Sequence, residues 1–513
     1  MFSTILSGGI FGVQSYLVQV EVDMSQGLPC FAMVGNLGGE VKESGERVRT
    51  ALKNNGIFLP PMHIAVNLSP ANMRKEGTGY DLPIAAALLA SMGKIKQEAV
   101  DNVLFLGELG LSGEIKPVKG VLPIVCRAAE TAVKRCIVPW KNAREAGTVQ
   151  GIEVIGVSSL HQMVQFLSEE EKITPVSVSV EELLQDGKVQ SCADFEEVVG
   201  QEGLKRAAIL AAAGFHNLLL VGPPGSGKTM IAKRIPGILP PFSAEECLEV
   251  SSVYSVAGLL REEQSLITKR PFLNPHHTIS SQALTGGGKI PKPGIISLSH
   301  RGVLFLDELP EFKRQTLDAL RQPIEDNRVQ IARSSGSFIY PADFMLVAAM
   351  NPCPCGYYPD RNKCRCTAFE RHQYLSHISG PILDRIDICI RAPKVEIMQL
   401  QNPRKGMDSS MMRSLVMSAR ERQMYRYRDS DLKFNSDLGV NDVEKYCRLG
   451  TKEQIMLTHM FQTMDLSARA YHRLIKTART IADVEECEAI NEYHLSEAIC
   501  FFGGSKGGIL DEK

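Results

Sequence analysis

The stretch Leu218-Leu219-Leu220-Val221-Gly222-Pro223-Pro224-Gly225-Ser226-Gly227-Lys228-Thr229 decides how this chain folds. Four apolar residues in a row read as a short strand buried on both faces. They run directly into G-x-x-x-x-G-K-T. The glycines of that pattern let backbone N–H groups close around phosphate oxygens, and the helix that follows offers its N-terminal dipole. Lys228 is placed to contact the β- and γ-phosphates of a nucleotide, and the Thr229 hydroxyl to bind Mg²⁺. All eight residues from Gly222 to Thr229 form the expected cradle for a nucleotide and its Mg²⁺.

Working outward, a second apolar run, Val303-Leu304-Phe305-Leu306, ends in Asp307-Glu308. Carboxylates at the C-terminal end of a parallel strand sit where ligands bind in open α/β sheets. Asp307 is expected to hold Mg²⁺ and Glu308 to polarise the water that attacks the γ-phosphate. A third strand, Phe344 to Met350, ends in Asn351, an amide placed to orient that water. From Phe195 to about Pro393, apolar strands alternate with helical segments, the pattern of a parallel sheet covered by helices. Beyond Pro393 the strand signals fade. There Leu466, Ala470, Leu474, Ile475 and Ala478 fall on one helical face.

The order of these motifs, followed by Ser379-Gly380-Pro381-Ile382-Leu383-Asp384-Arg385 and Ser467-Ala468-Arg469, resembles an AAA+ ATPase of the magnesium-chelatase-like, ComM/YifB type. Asn274-Pro275-His276-His277-Thr278-Ile279-Ser280 and Leu320-Arg321-Gln322-Pro323-Ile324-Glu325 match as well, and the resemblance runs over nearly the whole chain. It implies that Arg385 is an arginine finger reaching a neighbouring subunit's γ-phosphate and that Arg469 is the sensor arginine of a helical lid. A finger acting in trans needs a ring, so a homohexamer follows from the resemblance. So does a substrate of single-stranded or branched DNA, moved as in branch migration. Residues 270–294, rich in Pro, Gly and His, resemble the family's insert. Arg328 to Phe338 reads as a β-hairpin turning at Ser334-Ser335-Gly336. In related helicases such hairpins face the pore, which makes Lys289, Lys292 and Arg333 candidates for the DNA backbone; exposed lysines that are merely solvated are the alternative. His276 and His277 could be taken for metal ligands, but are expected to be structural or to shape the inter-subunit surface.

Cys353, Cys355, Cys364 and Cys366 follow Asn351 within a few residues. Four thiols so close together fit a small tetrahedral Zn²⁺ knuckle, although C-x-C is less usual than C-x-x-C. Reduced thiols in a Pro-rich loop are the other reading.

The N-terminal part mixes short β-type runs (Tyr16–Val22, Ile64–Leu68, Val103–Leu106, Arg135–Val138) with small-residue helical stretches such as Asp81–Ser91. Gly107 to Val118 and Lys75 to Pro83 resemble stretches of the Lon-type serine protease fold. The positions of that family's Ser-Lys dyad hold Gly79 and Leu122 here, which can neither attack a carbonyl nor take a proton. The resemblance therefore implies the fold without peptidase activity, although Asn36-Leu37-Gly38-Gly39 departs from the turn found in relatives.

The expected fold class is thus α/β: an AAA+ P-loop NTPase with a parallel sheet and helical lid, preceded by a Lon-like (ribosomal S5 domain 2-like) α+β domain. The expected boundaries are 1–167 for the Lon-like domain, 168–190 for a linker, 191–393 for the ATPase core and 394–513 for the lid. Length agrees, since 513 residues exceed one core and suit roughly three at 100–200 residues each. Lys plus Arg number 57 and Asp plus Glu 58, a formal charge of −1, which excludes a histone-like blanket of positive charge. A basic stretch hides in that total: residues 401–479 hold 15 Lys/Arg against 9 Asp/Glu. Within it Arg420, Arg422, Arg426 and Arg428 interleave with Tyr425 and Tyr427, which suits either nucleic-acid binding or the solvated face of a lid helix. No apolar run reaches the roughly 18–20 residues that span a bilayer, and Met1 to Val20 lacks the charged start of a signal peptide. The thirteen cysteines read as reduced thiols, and a cytoplasmic location with no membrane partner is the expectation.

Overall fold

A computed structural model describes the chain apart from residues 190–192, 334–335, 395–400, 402–405, 465 and 503–513. The expected linker end at Gln190 and the hairpin turn at Ser334-Ser335 lie outside the described residues.

The N-terminal half is built on a long antiparallel hairpin, Phe2–Phe11 with Gln14–Ser25, in register from Phe2↔Asp23 to Phe11↔Gln14. Alternation sorts its side chains between two cores. Ile5, Val18, Val20 and Val22 pack with the helices Gly39–Asn54 and Asp81–Ser91. Leu6, Ile10 and Leu17 lean the other way, toward the helix Val121–Ala129 and onto residues of the ATPase half such as Phe242 and Val250. The helix Asp81–Ser91 is apolar and buried all round, so it runs through the core rather than along the surface. Five further strands bring this sheet to seven: its centre is antiparallel, and both flanks, Cys30–Val34 on His63–Ser69 at one edge and Val103–Phe105, Arg135–Pro139 and Glu153–Val157 at the other, pair in parallel.

Five parallel strands form the second sheet, in the spatial order Phe272–Leu273, Val303–Leu306, Met345–Met350, Leu218–Val221, Ile388–Arg391. Every residue of Leu218–Val221, Val303–Leu306 and Met345–Met350 is buried, as continuous apolar runs under covering helices require. The first strand in sequence lies between the fourth and the fifth. Because all five point the same way, Gly222, Asp307 and Asn351 emerge on one rim.

The C-terminal part is helical, and among its helices are Ser409–Tyr427, Thr451–Thr463, Ala468–Val484 and Glu492–Cys500. Leu466, Ala470, Leu474, Ile475 and Ala478 are all buried, as their spacing predicts. They share a core with the helix Glu202–Gly214 of the ATPase half.

Two expectations need correction. The stretch expected to be a linker is, over its described residues 168–189, not a free tether. Val176 and Val178 donate backbone hydrogen bonds to Val154 and Gly147 (both 2.9 Å), and the helix Val180–Val189 packs Val180, Leu183 and Leu184 onto the N-terminal core. The Arg/Tyr interleave is largely internal to the lid. Arg426 pairs with the fully buried Asp483, Tyr427 is buried and donates to Asn435 Oδ1 at 2.6 Å, and Arg420 lies 4.1 Å over the Phe434 ring. Arg422 pairs with Glu486 at 3.6 Å. Only Tyr425 and Arg428, stacked at 4.7 Å, face outward among these six. Local charge in a sequence does not reveal the buried acids that neutralise it.

Candidate functional site

The phosphate loop takes its shape from glycine where the backbone demands it. Gly225 and Gly227 have φ of +75° and +86°, values that side chains adopt only with strain. The helix Lys228–Ile238 starts at once, aiming its N-terminus into the loop. Lys228 Nζ donates to Gly222 O (2.7 Å) and Pro223 O (2.9 Å) and reaches Asn351 Oδ1 at 3.3 Å. Burial lowers the pKa of its ammonium, and Asp307 opposes that shift. Thr229 Oγ1 donates to Asp307 Oδ2 at 2.8 Å. Three strands remote in sequence thus deliver an ammonium, a hydroxyl, a carboxylate and an amide to one point. That donor set suits a magnesium-bound triphosphate: Thr229 and Asp307 would hold the cation through hard oxygen ligands, while Lys228 meets the phosphates.

Glu308 follows with φ +54° and ψ +48°, a left-handed conformation rare for a residue with a Cβ. It turns the carboxylate away from the strand and leaves it more than half exposed. His277 Nδ1 stands 3.5 Å from Glu308 Oε2, backed by His276 at 4.0 Å between ring centroids and by the edge of Phe312. The sequence suggests for His277 a structural or inter-subunit role; its contact with Glu308 depends on how the loop after Phe272–Leu273 folds back, which no local pattern encodes.

Arg385 and Arg469 come together at a second place. Both guanidiniums meet one carboxylate oxygen, Glu325 Oε1, at 2.5 and 3.0 Å. The three residues line a cavity of about 420 Å³ that also includes Asn327, Asp384 and Arg473. None of the residues 222–229 lines it. Arg385 is held from behind by Pro381 O and has little exposure, whereas Arg469 is well exposed. Glu325 ends the stretch Leu320-Arg321-Gln322-Pro323-Ile324-Glu325, in which nothing signals that it would join two distant arginines.

The four cysteines also converge. Cys353 Sγ lies 3.4 Å from Cys355 Sγ and 3.8 Å from Cys364 Sγ, Cys355 and Cys364 are 3.6 Å apart, and all four sulfurs lie within 4.8 Å of one another. Four thiolates at about 2.3 Å from a tetrahedral zinc stand about 3.8 Å from each other. The site therefore fits Zn²⁺.

The insert and the hairpin lie side by side. Gly286–Gly287 pairs with Lys292–Pro293, Arg328–Arg333 pairs with Gly336–Pro341, and Arg333 Nε reaches Gly288 O at 3.5 Å. Lys289, Lys292 and Arg333 are exposed along this shared edge. The hairpin is anchored to the N-terminal half by Phe338, midway along its second strand, which stacks on Phe11 at 4.3 Å.

At the two positions that the Lon-type resemblance aligns with a Ser-Lys dyad, Leu122 is fully buried and its N–H donates to Glu145 Oε1 at 3.1 Å, while Gly79 lies beside Val118. Glu145 in turn accepts from Ser255 of the ATPase half. Through Glu145, Leu122 is thus tied to the junction between the two halves.

Comparison with known proteins gives three family matches: "Magnesium chelatase, subunit ChlI" over 194–400, "Subunit ChlI of Mg-chelatase" over 20–142 and "Magnesium chelatase, subunit ChlI C-terminal" over 406–501. Competence protein ComM of Haemophilus influenzae is 41% identical over 498 residues, 96% of each chain. YifB of Escherichia coli K12 is 41% identical over 494 residues, covering 96% of this chain and 95% of its own. The magnesium-chelatase 38 kDa subunit of Cereibacter sphaeroides is 27% identical over 176 residues, 31% of this chain and 52% of its own. No described helix is long and apolar enough to cross a membrane.

Proposed function

Because this chain belongs to the ComM/YifB family of magnesium-chelatase-like AAA+ ATPases, we propose that it works as a homohexameric, ATP-driven DNA motor that migrates branches in recombination intermediates during DNA uptake. The observation that carries the ATPase part is the meeting of Lys228, Thr229, Asp307 and Asn351 on one rim of the parallel sheet.

In this reading Lys228 and the loop amides bind the β- and γ-phosphates, and Thr229 with Asp307 holds Mg²⁺, which neutralises phosphate charge when bound. Glu308 accepts the proton of the attacking water, with His277 as its positioning partner, and Asn351 orients that water. Arg385 supplies positive charge to the neighbour's γ-phosphate, since it lines a different cavity from the phosphate loop of its own chain. Arg469, resting on the same Glu325, joins it there. DNA runs past Lys289, Lys292 and Arg333 in the ring interior, through phosphate contacts that carry no sequence information. Cys353, Cys355, Cys364 and Cys366 would hold Zn²⁺ as a structural cross-link. The name of the Haemophilus influenzae relative supports the link to competence.

A second reading, an ATPase that remodels a protein partner, is favoured by the three magnesium-chelatase matches. An ATP-dependent protease is disfavoured by Gly79 and the buried Leu122. The test is migration of a synthetic four-way junction into duplex products. The wild type should resolve it with ATP and Mg²⁺ and the Glu308→Gln protein should not; an inert wild type that hydrolyses ATP would favour the partner-remodelling reading.

A further inference from the structure

The segment between Asn351 and the helix Ala368–Ser376 contains no regular secondary structure. Few backbone hydrogen bonds hold it, among them Gly356 N to Cys353 O at 2.9 Å and Cys364 N to Asp360 O at 2.8 Å. Such a short irregular loop cannot bury enough apolar surface to fix its own shape and needs a cross-link. Cys353 is fully buried at its centre, and the Tyr358 N–H points to its sulfur at 3.4 Å. The outer side is tied to the following helix by Arg371, which lies 4.1 Å over the Tyr358 ring.

The inner side rests on the phosphate loop. Gly356 is buried with φ +82°, and a Cβ built there would lie 2.6 Å from Pro224 Cδ, 2.9 Å from Pro224 Cγ and 3.7 Å from Asn351 Cγ. Gly356 thus sits in a gap that only a hydrogen can fill, with the loop's second proline above it and the water-orienting amide beside it. Pro224, Tyr357, Tyr358 and Lys363 continue this contact as walls of one cavity of about 950 Å³. A single loop therefore touches both the phosphate loop and Asn351, and its rigidity depends on whatever joins its four sulfurs.

We propose that a Zn²⁺-loaded Cys353/Cys355/Cys364/Cys366 knuckle is the support that sets the shape of the phosphate loop, with Gly356 as its positioning residue against Pro224. Nucleotide affinity then depends on metal occupancy, although no cysteine touches the nucleotide. This rests on the reading of residues 222–229 as the nucleotide site.

The test uses the full chain. Zinc is quantified, and binding of a fluorescent non-hydrolysable ATP analogue is titrated in the presence of Mg²⁺. The wild type should carry one zinc per chain. Chelation should weaken analogue binding about tenfold, a loss of roughly 1.4 kcal/mol, and added Zn²⁺ should restore it. Gly356→Ala should keep its zinc and weaken the analogue to a similar degree. Cys364→Ser should lose zinc and affinity together; if that variant fails to fold, the chelation–restoration cycle and Gly356→Ala decide. A wild type purified without zinc, a folded zinc-depleted protein that binds the analogue as before, or a Gly356→Ala protein with unchanged affinity would each overturn the proposal. Lys228→Ala separates the two readings: it should keep zinc and lose the analogue, and if it still binds the analogue, the nucleotide-site reading fails instead.

Discussion

Arg385 and Arg469 share one oxygen of Glu325, at 2.5 and 3.0 Å, although the two arginines lie on different elements 84 positions apart. A carboxylate between two guanidiniums holds both in a fixed posture and removes part of the repulsion between them. The same trio lines a cavity apart from the phosphate loop, the arrangement expected of charges meant for a neighbouring subunit's nucleotide.

Arg385→Ala should therefore keep nucleotide binding and lose turnover by about 10³-fold or more. Mixing it with Lys228→Ala should restore measurable hydrolysis, because some interfaces then combine an intact phosphate loop with an intact arginine. Steady-state ATPase assays across mixing ratios check this; strict additivity of two inactive proteins would argue against action in trans.

Glu308→Gln should retain binding of ATP and lower turnover by about 10²- to 10⁴-fold, the usual worth of a positioned general base. His277→Ala should lower kcat less and leave nucleotide affinity unchanged. Single-turnover rates alongside equilibrium titrations separate the two effects.

Phe338→Ala should destabilise the protein by about 3 kcal/mol, since Phe338 is nearly buried in its stack on Phe11. Phe11→Ala together with Phe338→Ala should cost less than the sum of the single changes, because they remove the same contact. Denaturant unfolding of the four proteins measures the coupling.

Glu249 predicts an acid-side effect. Burial raises its pKa, but the His300 ring nitrogen 3.0 Å away and the adjacent Arg301 (3.2 Å) outweigh that and hold it down at about 2. A carboxyl depressed in the folded state contributes stability above its unfolded value near 4.5 and loses it as pH falls toward 2. Glu249→Gln should therefore melt below the wild type at pH 7, with the gap narrowing between pH 4.5 and 2. A gap that stays constant over that range would contradict the assignment.

Much of this was legible in the sequence for definite physical reasons. Buried parallel strands are continuous apolar runs, so Leu218–Val221 and Val303–Leu306 stand out, and the residues just after them are forced onto one rim. The helix Asp81–Ser91 was legible from its small apolar residues. The strand Phe2–Phe11 was not: Ser7, Gly8 and Gly9 interrupt its alternation, and pairing with Gln14–Ser25 rather than propensity holds it. The docking of Val176 and Val178 leaves no local trace in the sequence, because their backbone partners, Val154 and Gly147, are distant. Arg426 looked available for nucleic acid because Asp483, its partner, comes 57 residues later. Glu325 and His277 escaped for the same reason.

The central claim, an ATPase whose cycle is coupled to DNA, is tested most directly by the rate of ATP hydrolysis of the full chain with and without forked or single-stranded DNA, at low and high salt. The account predicts stimulation by DNA that fades steeply as salt rises, because the contacts are to phosphates. It also predicts loss of that stimulation, with basal hydrolysis retained, when Lys289, Lys292 and Arg333 are all changed to Ala. A hydrolysis rate indifferent to DNA at every salt concentration would contradict it.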